Sequence, residues 1–269
     1  MQGSSRGSMA AATERVEPLL SGSDAARLGE ELFAVAALLD SSAGLRRALT
    51  DPSREADAKA ALVGRLLDEK VSVDCAALVA GMARDRWSTS RDLADACEHL
   101  GALAVLGSAQ SDGTLDTVEE ELFRYGRIVD GDQGLAAAFG ERKRSAADKA
   151  TLVERLLSGK VLPQTLVLAR QATTAPRGRR LQDVLEEFGR VAAQRRDRVV
   201  ARVTAAVPLT EAQRERLSQV LAGVYERTMH LDLDIDPQLL GGLRVQVGDE
   251  VIDASVLTRL EEARRRLAG

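Results

Sequence analysis

Apolar residues recur at helical spacing through most of the chain. Leu62, Val63, Leu66 and Leu67 fall at i, i+1, i+4 and i+5, a single stripe on a helix. Leu152, Val153, Leu156 and Leu157 repeat the stripe ninety residues later. Breakers bound these runs: Asp51-Pro52 opens a loop, and Gly159 suits a left-handed helix end. From Arg198 the period drops to two. In VVARVTAAVPL, Val199, Ala201, Val203, Ala205 and Val207 share one face, as in a half-buried strand. Thr210 and Gln213 make a capping box, and Leu217, Val220, Leu221 and Val224 stripe the helix it opens. MHLDLDID alternates again until Pro237. Leu243, Val245 and Val247 form a further strand, turned at Gly248-Asp249 into Val251-Ile252. Ser255 caps a last helix striped by Val256, Leu260, Ala263 and Leu267.

The helical part is written twice. ADAKAALVGRLLDEKV, from Ala56, and AADKATLVERLLSGKV, from Ala146, agree at ten positions, among them Lys59/Lys149, Val63/Val153, Leu67/Leu157 and Val71/Val161. Upstream, Glu30-Glu31-Leu32-Phe33 falls on Glu120-Glu121-Leu122-Phe123, and Asp40 on Asp130. Downstream the offset shortens by two, so that Leu78-Val79 meets Leu166-Val167, Arg91 meets Arg179, Glu98 meets Glu186 and Gly101 meets Gly189. One helical pattern arising by chance would not hold phase over several segments, so this is an internal duplication. Two copies are too few for a solenoid. The expected fold is mainly α: two tandem bundles of about five or six short helices each, over residues 1–104 and 105–197, then a small α/β domain over 198–269.

Composition narrows the function. Aromatic residues are 3% while Ala, Leu, Val, Glu and Arg dominate, a mix that suits helices. A net charge of −4 argues against general nucleic-acid binding, which rests on clustered Lys and Arg. No apolar run approaches the ~18 residues of a membrane span, and MQGSSRGSMAAATERV has no apolar signal segment. A cytoplasmic protein without direct membrane insertion is expected. Candidate chemistry is sparse. Cys97 aligns with Leu185, which makes it a packing position, and the spacing to Cys75 suits neither zinc nor a cytosolic disulfide. His99 aligns with Glu187 and reads as a surface position; His230 lies on the polar face of its strand. Asp232, Asp234 and Asp236 share that face, suited to a cation or simply to an exposed charged strand. Gly241-Gly242 lacks a phosphate-loop pattern. The arginine runs at 177–180, 195–198 and 264–266 suit an acidic partner or phosphate, but such runs are mostly solvated helix ends and are read so here. Trp87, in RDRWSTSRDL against TTAPRGRRL, is either a contact anchor or a cap over its bundle.

The last third carries TAAVPLTEAQRERL and IDPQLLGGLRVQVGDEVIDASVLTRLEE. Val207-Pro208-Leu209, Asp236-Pro237, Gly241-Gly242, Gly248-Asp249, Asp253 and Ser255, in this order and spacing, resemble the δ subunit of bacterial F-type ATP synthase. That subunit is the counterpart of the mitochondrial oligomycin sensitivity-conferring protein. EELFRYGRIV and TAPRGRRLQDVLEEF resemble the family's helical N-terminal domain. The ordinary member corresponds to about 101–269. The preceding residues are a second copy of the helical domain, as in a longer form that some bacteria have. The resemblance implies a non-catalytic stator subunit of the peripheral stalk, one per complex, peripheral on the cytoplasmic face of the cell membrane, with no cofactor and no metal. It implies two partners: the N-terminal helix of an α subunit, held in a helical-domain groove, and the C-terminal end of b, held by the C-terminal domain. Carried onto this chain, the groove involves Leu103, Leu106, Leu181, Val184, Leu185 and Phe188, which equally suit a core. The second copy is expected to cap F1, the first to brace the stalk. A generic helical scaffold of another complex is the alternative.

Overall fold

The computed structural model describes residues 3–141, 143–196, 199–225, 229–236, 239, 241–247 and 250–253. The chain forms two compact units, Met1–Ala193 and Gln194–Gly269. The first is all helix: α1 (Ser4–Val16), a 3₁₀ turn (Glu17–Leu19), α2 (Ala25–Ser41), α3 (Ala43–Thr50), α4 (Ala56–Leu67), α5 (Val73–Arg84), α6 (Asp92–Ser111), α7 (Leu115–Gly131), α8 (Gln133–Gly140), α9 (Ala146–Leu157), α10 (Pro163–Thr174) and α11 (Leu181–Arg196). Both ends of α2 to α5 recur in α7 to α10 at a constant offset of 90, from 25 against 115 to 84 against 174. Leu78 therefore matches Leu168, not Leu166, and the two-residue shortening falls in the loop that follows, 85–91 against 175–179. The cores agree with this register, since Leu78 and Leu168 are both buried, as are Met82 and Ala172.

The repeated EELF segment has a separate job for each residue. Leu32 and Leu122 are core. Glu31 accepts from the Ser72 N–H and hydroxyl at 3.0 and 2.5 Å, and Glu121 accepts from the Leu162 N–H and Thr165 hydroxyl at 3.0 and 2.6 Å. Each glutamate thus satisfies free donors at the start of the fifth helix of its repeat, where the helix dipole favours negative charge. The aligned lysines are both buried, and Lys149 donates to the Phe139 carbonyl at 2.6 Å.

The expected division at 104/105 falls inside α6, the 20-residue central helix. Its first half closes the first repeat and its second half opens the second. A helix with partners on every side is apolar all round, and Leu93, Ala96, Cys97, Leu100, Val105 and Leu106 are all buried. One hydrophobic core consequently runs from Ala12 to Ala192. Glycine allows α2 to lie close on α6. A Cβ on Gly29 would stand 2.7 Å from the Gly101 carbonyl oxygen, and one on Gly101 would stand 2.8 Å from the Phe33 ring.

The second unit holds β1 (Val199–Ala205), α12 (Glu211–Tyr225), β2 (Met229–Ile235), β3 (Leu243–Val247) and β4 (Glu250–Asp253). The sheet order is β2-β1-β3-β4, with β1 parallel to β2 and antiparallel to β3, and β3 antiparallel to β4. The crossover helix α12 starts on the expected box: the Thr210 N–H donates to the Gln213 side-chain oxygen at 2.9 Å. Val203, Leu221, Leu231, Val245 and Val247 form its core. The architecture is the mainly helical fold with a small C-terminal α/β part that the sequence pattern implies. Pro237, Gly248, Asp249 and Ser255, with the expected last helix, lie outside the described residues.

Candidate functional site

The first repeat grips the second through one side of α2. Glu30 pairs with Arg170 at 2.8 Å, and the rings of Phe33 and Phe188 lie 6.4 Å apart. Asp40 takes the fork of Arg177, with its Oδ2 at 2.5 Å from Nε and Oδ1 at 3.1 Å from Nη2. The same guanidinium reaches Asp95 at 2.7 Å and Glu98 at 3.1 Å, and Arg179 adds a second cation to Glu98 at 2.6 Å. The Arg177 and Glu98 side chains are only 5% and 6% exposed, while Asp40, Asp95 and Arg179 are 30%, 40% and 35% exposed, so the cluster has a buried centre and a solvated rim. Burial pulls the Arg177 pKa down, but Asp40, Asp95 and Glu98 outweigh it and hold the group above its ordinary range. Arg177 also takes a left-handed backbone, φ 54°, rare outside glycine. The 177–180 run is therefore not a solvated helix end. Only Arg180 behaves as expected of a surface arginine, pairing with Asp183 at 2.7 Å in the first turn of α11. The sequence signal was charge balance: Asp40, Asp95 and Glu98 stand on α2 and α6, and apart from Arg46, 3.9 Å from Asp40, the arginines that pair with them come from the second repeat.

In the second repeat, α7 and α11 stand apart. Glu119 occupies the position of Gly29, and a side chain there blocks the close approach made by α2 and α6. Contact is through side chains instead, Gln182 donating to the Gly126 carbonyl at 3.1 Å. A groove of about 260 Å³ remains, lined by Leu122, Phe123, Gly126, Leu185 and Gly189 among others. Phe123 at its edge is 67% exposed and Ile128 is 54% exposed.

The six residues expected to line a groove are mostly interior. Leu103, Leu106, Val184, Leu185 and Phe188 are buried and Leu181 is partly buried. Leu185 alone also lines the open groove beside α7. Trp87 is a cap: it is buried, and its indole N–H donates to the Met82 carbonyl at 2.7 Å. His99 is half-buried rather than a surface group, because the residue aligned with it, Glu187, closes over it at 3.8 Å. Burial lowers its pKa, against the opposing pull of Glu187 and Glu98. Cys75 and Cys97 are buried free thiols, each pushed up to about 12 chiefly by burial.

In the second unit, separated signature pieces meet. Ala206, Val207 and Leu209 line a cleft of about 640 Å³ with Gly241, Gly242 and Leu217. Gly241 and Gly242 have φ 130° and 88°, which only glycine adopts without strain, so they set the backbone of one wall. Pro208 is exposed beside it, and Asp236 hydrogen-bonds through its N–H to the Ala205 carbonyl at 3.0 Å. Asp253 closes β4. Val207 and Val220 are 67% and 55% exposed, so the cleft presents apolar side chains to solvent. Among the described residues there is no group of three or more His, Cys, Asp or Glu that could hold a metal ion. No helix among them is long and apolar enough to cross a membrane.

These are open apolar surfaces, of the kind that pack against another chain. The family model for the ATP synthase delta (OSCP) subunit matches residues 101–267. Proteins described as ATP synthase subunit delta match end to end. That of Kineococcus radiotolerans is 50% identical over 99% of this chain and 98% of its own. That of Streptomyces avermitilis is 50% identical over 99% and 98%. That of Beutenbergia cavernae is 51% identical over the full length of both. A chain of a Toxoplasma gondii mitochondrial ATP synthase structure aligns at 18% identity over 62% of this chain and 95% of its own, with a TM-score of 0.28, too low to transfer any detail. The first repeat lies within the full-length matches although it precedes the matched family region. The chain belongs to the family of the ATP synthase delta (OSCP) subunit, a peripheral-stalk component of that complex.

Proposed function

We propose that the chain is a non-catalytic stator link on the cytoplasmic face of the cell membrane, one copy per complex. The helical unit holds the N-terminal helix of an α subunit of the F1 head. The C-terminal unit holds the C-terminal end of the b subunits, and the first repeat braces this connection. Leu103, Leu106, Leu181, Val184, Leu185 and Phe188 then support the α-helix groove mainly from beneath. The observation that carries the reading is the C-terminal cleft, where family-signature residues from two distant stretches converge on one exposed apolar surface. A stator must resist torque by packed contacts, and helix-in-groove burial of apolar side chains supplies them. The test is V207D combined with V220D, two exposed positions, in cells that assemble the complex on this chain. The expected result is a chain that stays with F1, b left behind in the membrane, and proton-driven ATP synthesis lost while hydrolysis by F1 persists. Retention of b with normal synthesis overturns the reading.

A further inference from the structure

The helical unit carries one docking face twice and uses it once within the chain. On α2, Glu30, Phe33 and Asp40 stand at i, i+3 and i+10, on one side of the helix. All three act outside their own repeat, on Arg170, Phe188 and Arg177. On α7 the same three residues stand at the same spacing: Glu120, Phe123 and Asp130. There all three are exposed, and Glu120 turns back to Arg124 on its own helix at 2.7 Å.

We propose that α7 docks a second partner as α2 docks the second repeat. The partner is an amphipathic helix of another protein that offers arginine to Glu120 and Asp130 and an apolar socket to Phe123. This inference rests on the stalk reading for the assembly in which that partner is found. Charge points to a basic occupant. Both acids of the α2 face take arginine, and Glu119 on α7 and Glu186 on α11 add negative charge around Phe123. The basic residues nearby are Arg124, engaged by Glu120, Arg127, and Arg180, which pairs with Asp183 and also feels Glu186 and Asp130, so the acids on the face still outnumber the cations. The groove beside Phe123, opened by Glu119 in place of glycine, gives an incoming apolar side chain room against Leu122 and Leu185. A second copy of this chain fits poorly. Its matching surface would be the first repeat, where Ala80 stands in place of Arg170 and Leu100 in place of Phe188. Such a head-to-tail contact would also fail to close.

The test places the photo-cross-linker p-benzoylphenylalanine at 123 in the full chain within the isolated ATP synthase. The same group at Val73, 84% exposed on α5, is the control. The expected product joins residue 123 to a helical segment of another subunit with Arg or Lys within two turns of the joined residue. E120R with D130R should lower its yield roughly tenfold, because like charges then face each other at the contact, while the thermal melt stays unchanged. Three results overturn the proposal: a yield no higher than at 73, a product joining two copies of this chain, or a product indifferent to E120R and D130R. Retention in the complex is scored separately. A chain that is retained but not cross-linked overturns this inference alone; a chain that is not retained overturns the stalk reading as well.

Discussion

Gly101 and Gly189 hold matching places in the two repeats, and the same substitution at each should act with opposite sign. Both lie inside helices, α6 and α11, where alanine is favoured over glycine by about 1 kcal/mol. At Gly189 an added methyl meets nothing within 4 Å, so G189A should stabilise by about that amount. At Gly101 the methyl would lie 2.8 Å from Cδ1 and Cε1 of Phe33 and 3.0 Å from the Gly29 carbonyl oxygen. The ring is wedged against Phe188 and the carbonyl belongs to a helix backbone, so neither yields freely. Overpacking of this kind costs about 1–3 kcal/mol. With harsh contacts on two sides the upper part of that range applies, leaving G101A about 1–2 kcal/mol less stable after the helix gain. For a domain of this size each kcal/mol moves Tm by about 2–4 °C. Far-UV circular dichroism on heating, with urea melts as a check, should find G189A about 2–4 °C above the parent and G101A about 2–8 °C below it. If both variants rise together, the close crossing of α2 and α6 is wrong, and with it the account of why the second repeat stays open.

Replacing Arg177 by Met leaves Asp40 and Glu98 short of a buried cation, at a cost of about 3 kcal/mol; a urea-melt change under about 1 kcal/mol would refute the cluster as a clasp between repeats. For His99 the folded pKa is lowered, chiefly by burial. Below the ordinary value of 6.5 the unfolded chain therefore takes up a proton that the folded chain resists, and stability falls with falling pH. H99Q should flatten that acid limb and leave stability above pH 7 unchanged; an unaltered acid limb contradicts the burial argument. Cys75 and Cys97, with thiols pushed up to about 12, should resist iodoacetamide at pH 8 in the native chain and react together on unfolding in urea. Rapid native labelling would show that the core around α6 opens.

How much of this could be read in advance depends on whether a residue's role repeats. Leu32, Val63 and their partners ninety residues on keep the same chemistry in the same place, and the core follows from them. The capping box at Thr210 and the hairpin of β3 and β4 follow from local rules. The boundary at 104 could not, because a helix buried on every face carries no polar stripe to show where one bundle ends. Leu103 and Leu106 were ambiguous for the same reason: an apolar residue on such a helix fits a core as well as a groove. Arg177 looked solvated because its three acids come from elements more than seventy residues away. The open cleft beside α7 turns on a single difference, Glu119 for Gly29, whose meaning depends on how near the facing backbone comes.

The sharing of α6 has a mechanical consequence. A tether in a rotary machine is strained at every turn, and it bends first at a linker. Between these repeats there is none. The joint is an unbroken 20-residue helix, about 30 Å long, with the Arg177 cluster pinning its flank. Twisting one repeat against the other would have to shear a packed core and separate buried charges. The helical unit should therefore behave as a stiff spacer, and elastic yielding under torque must arise outside residues 1–193.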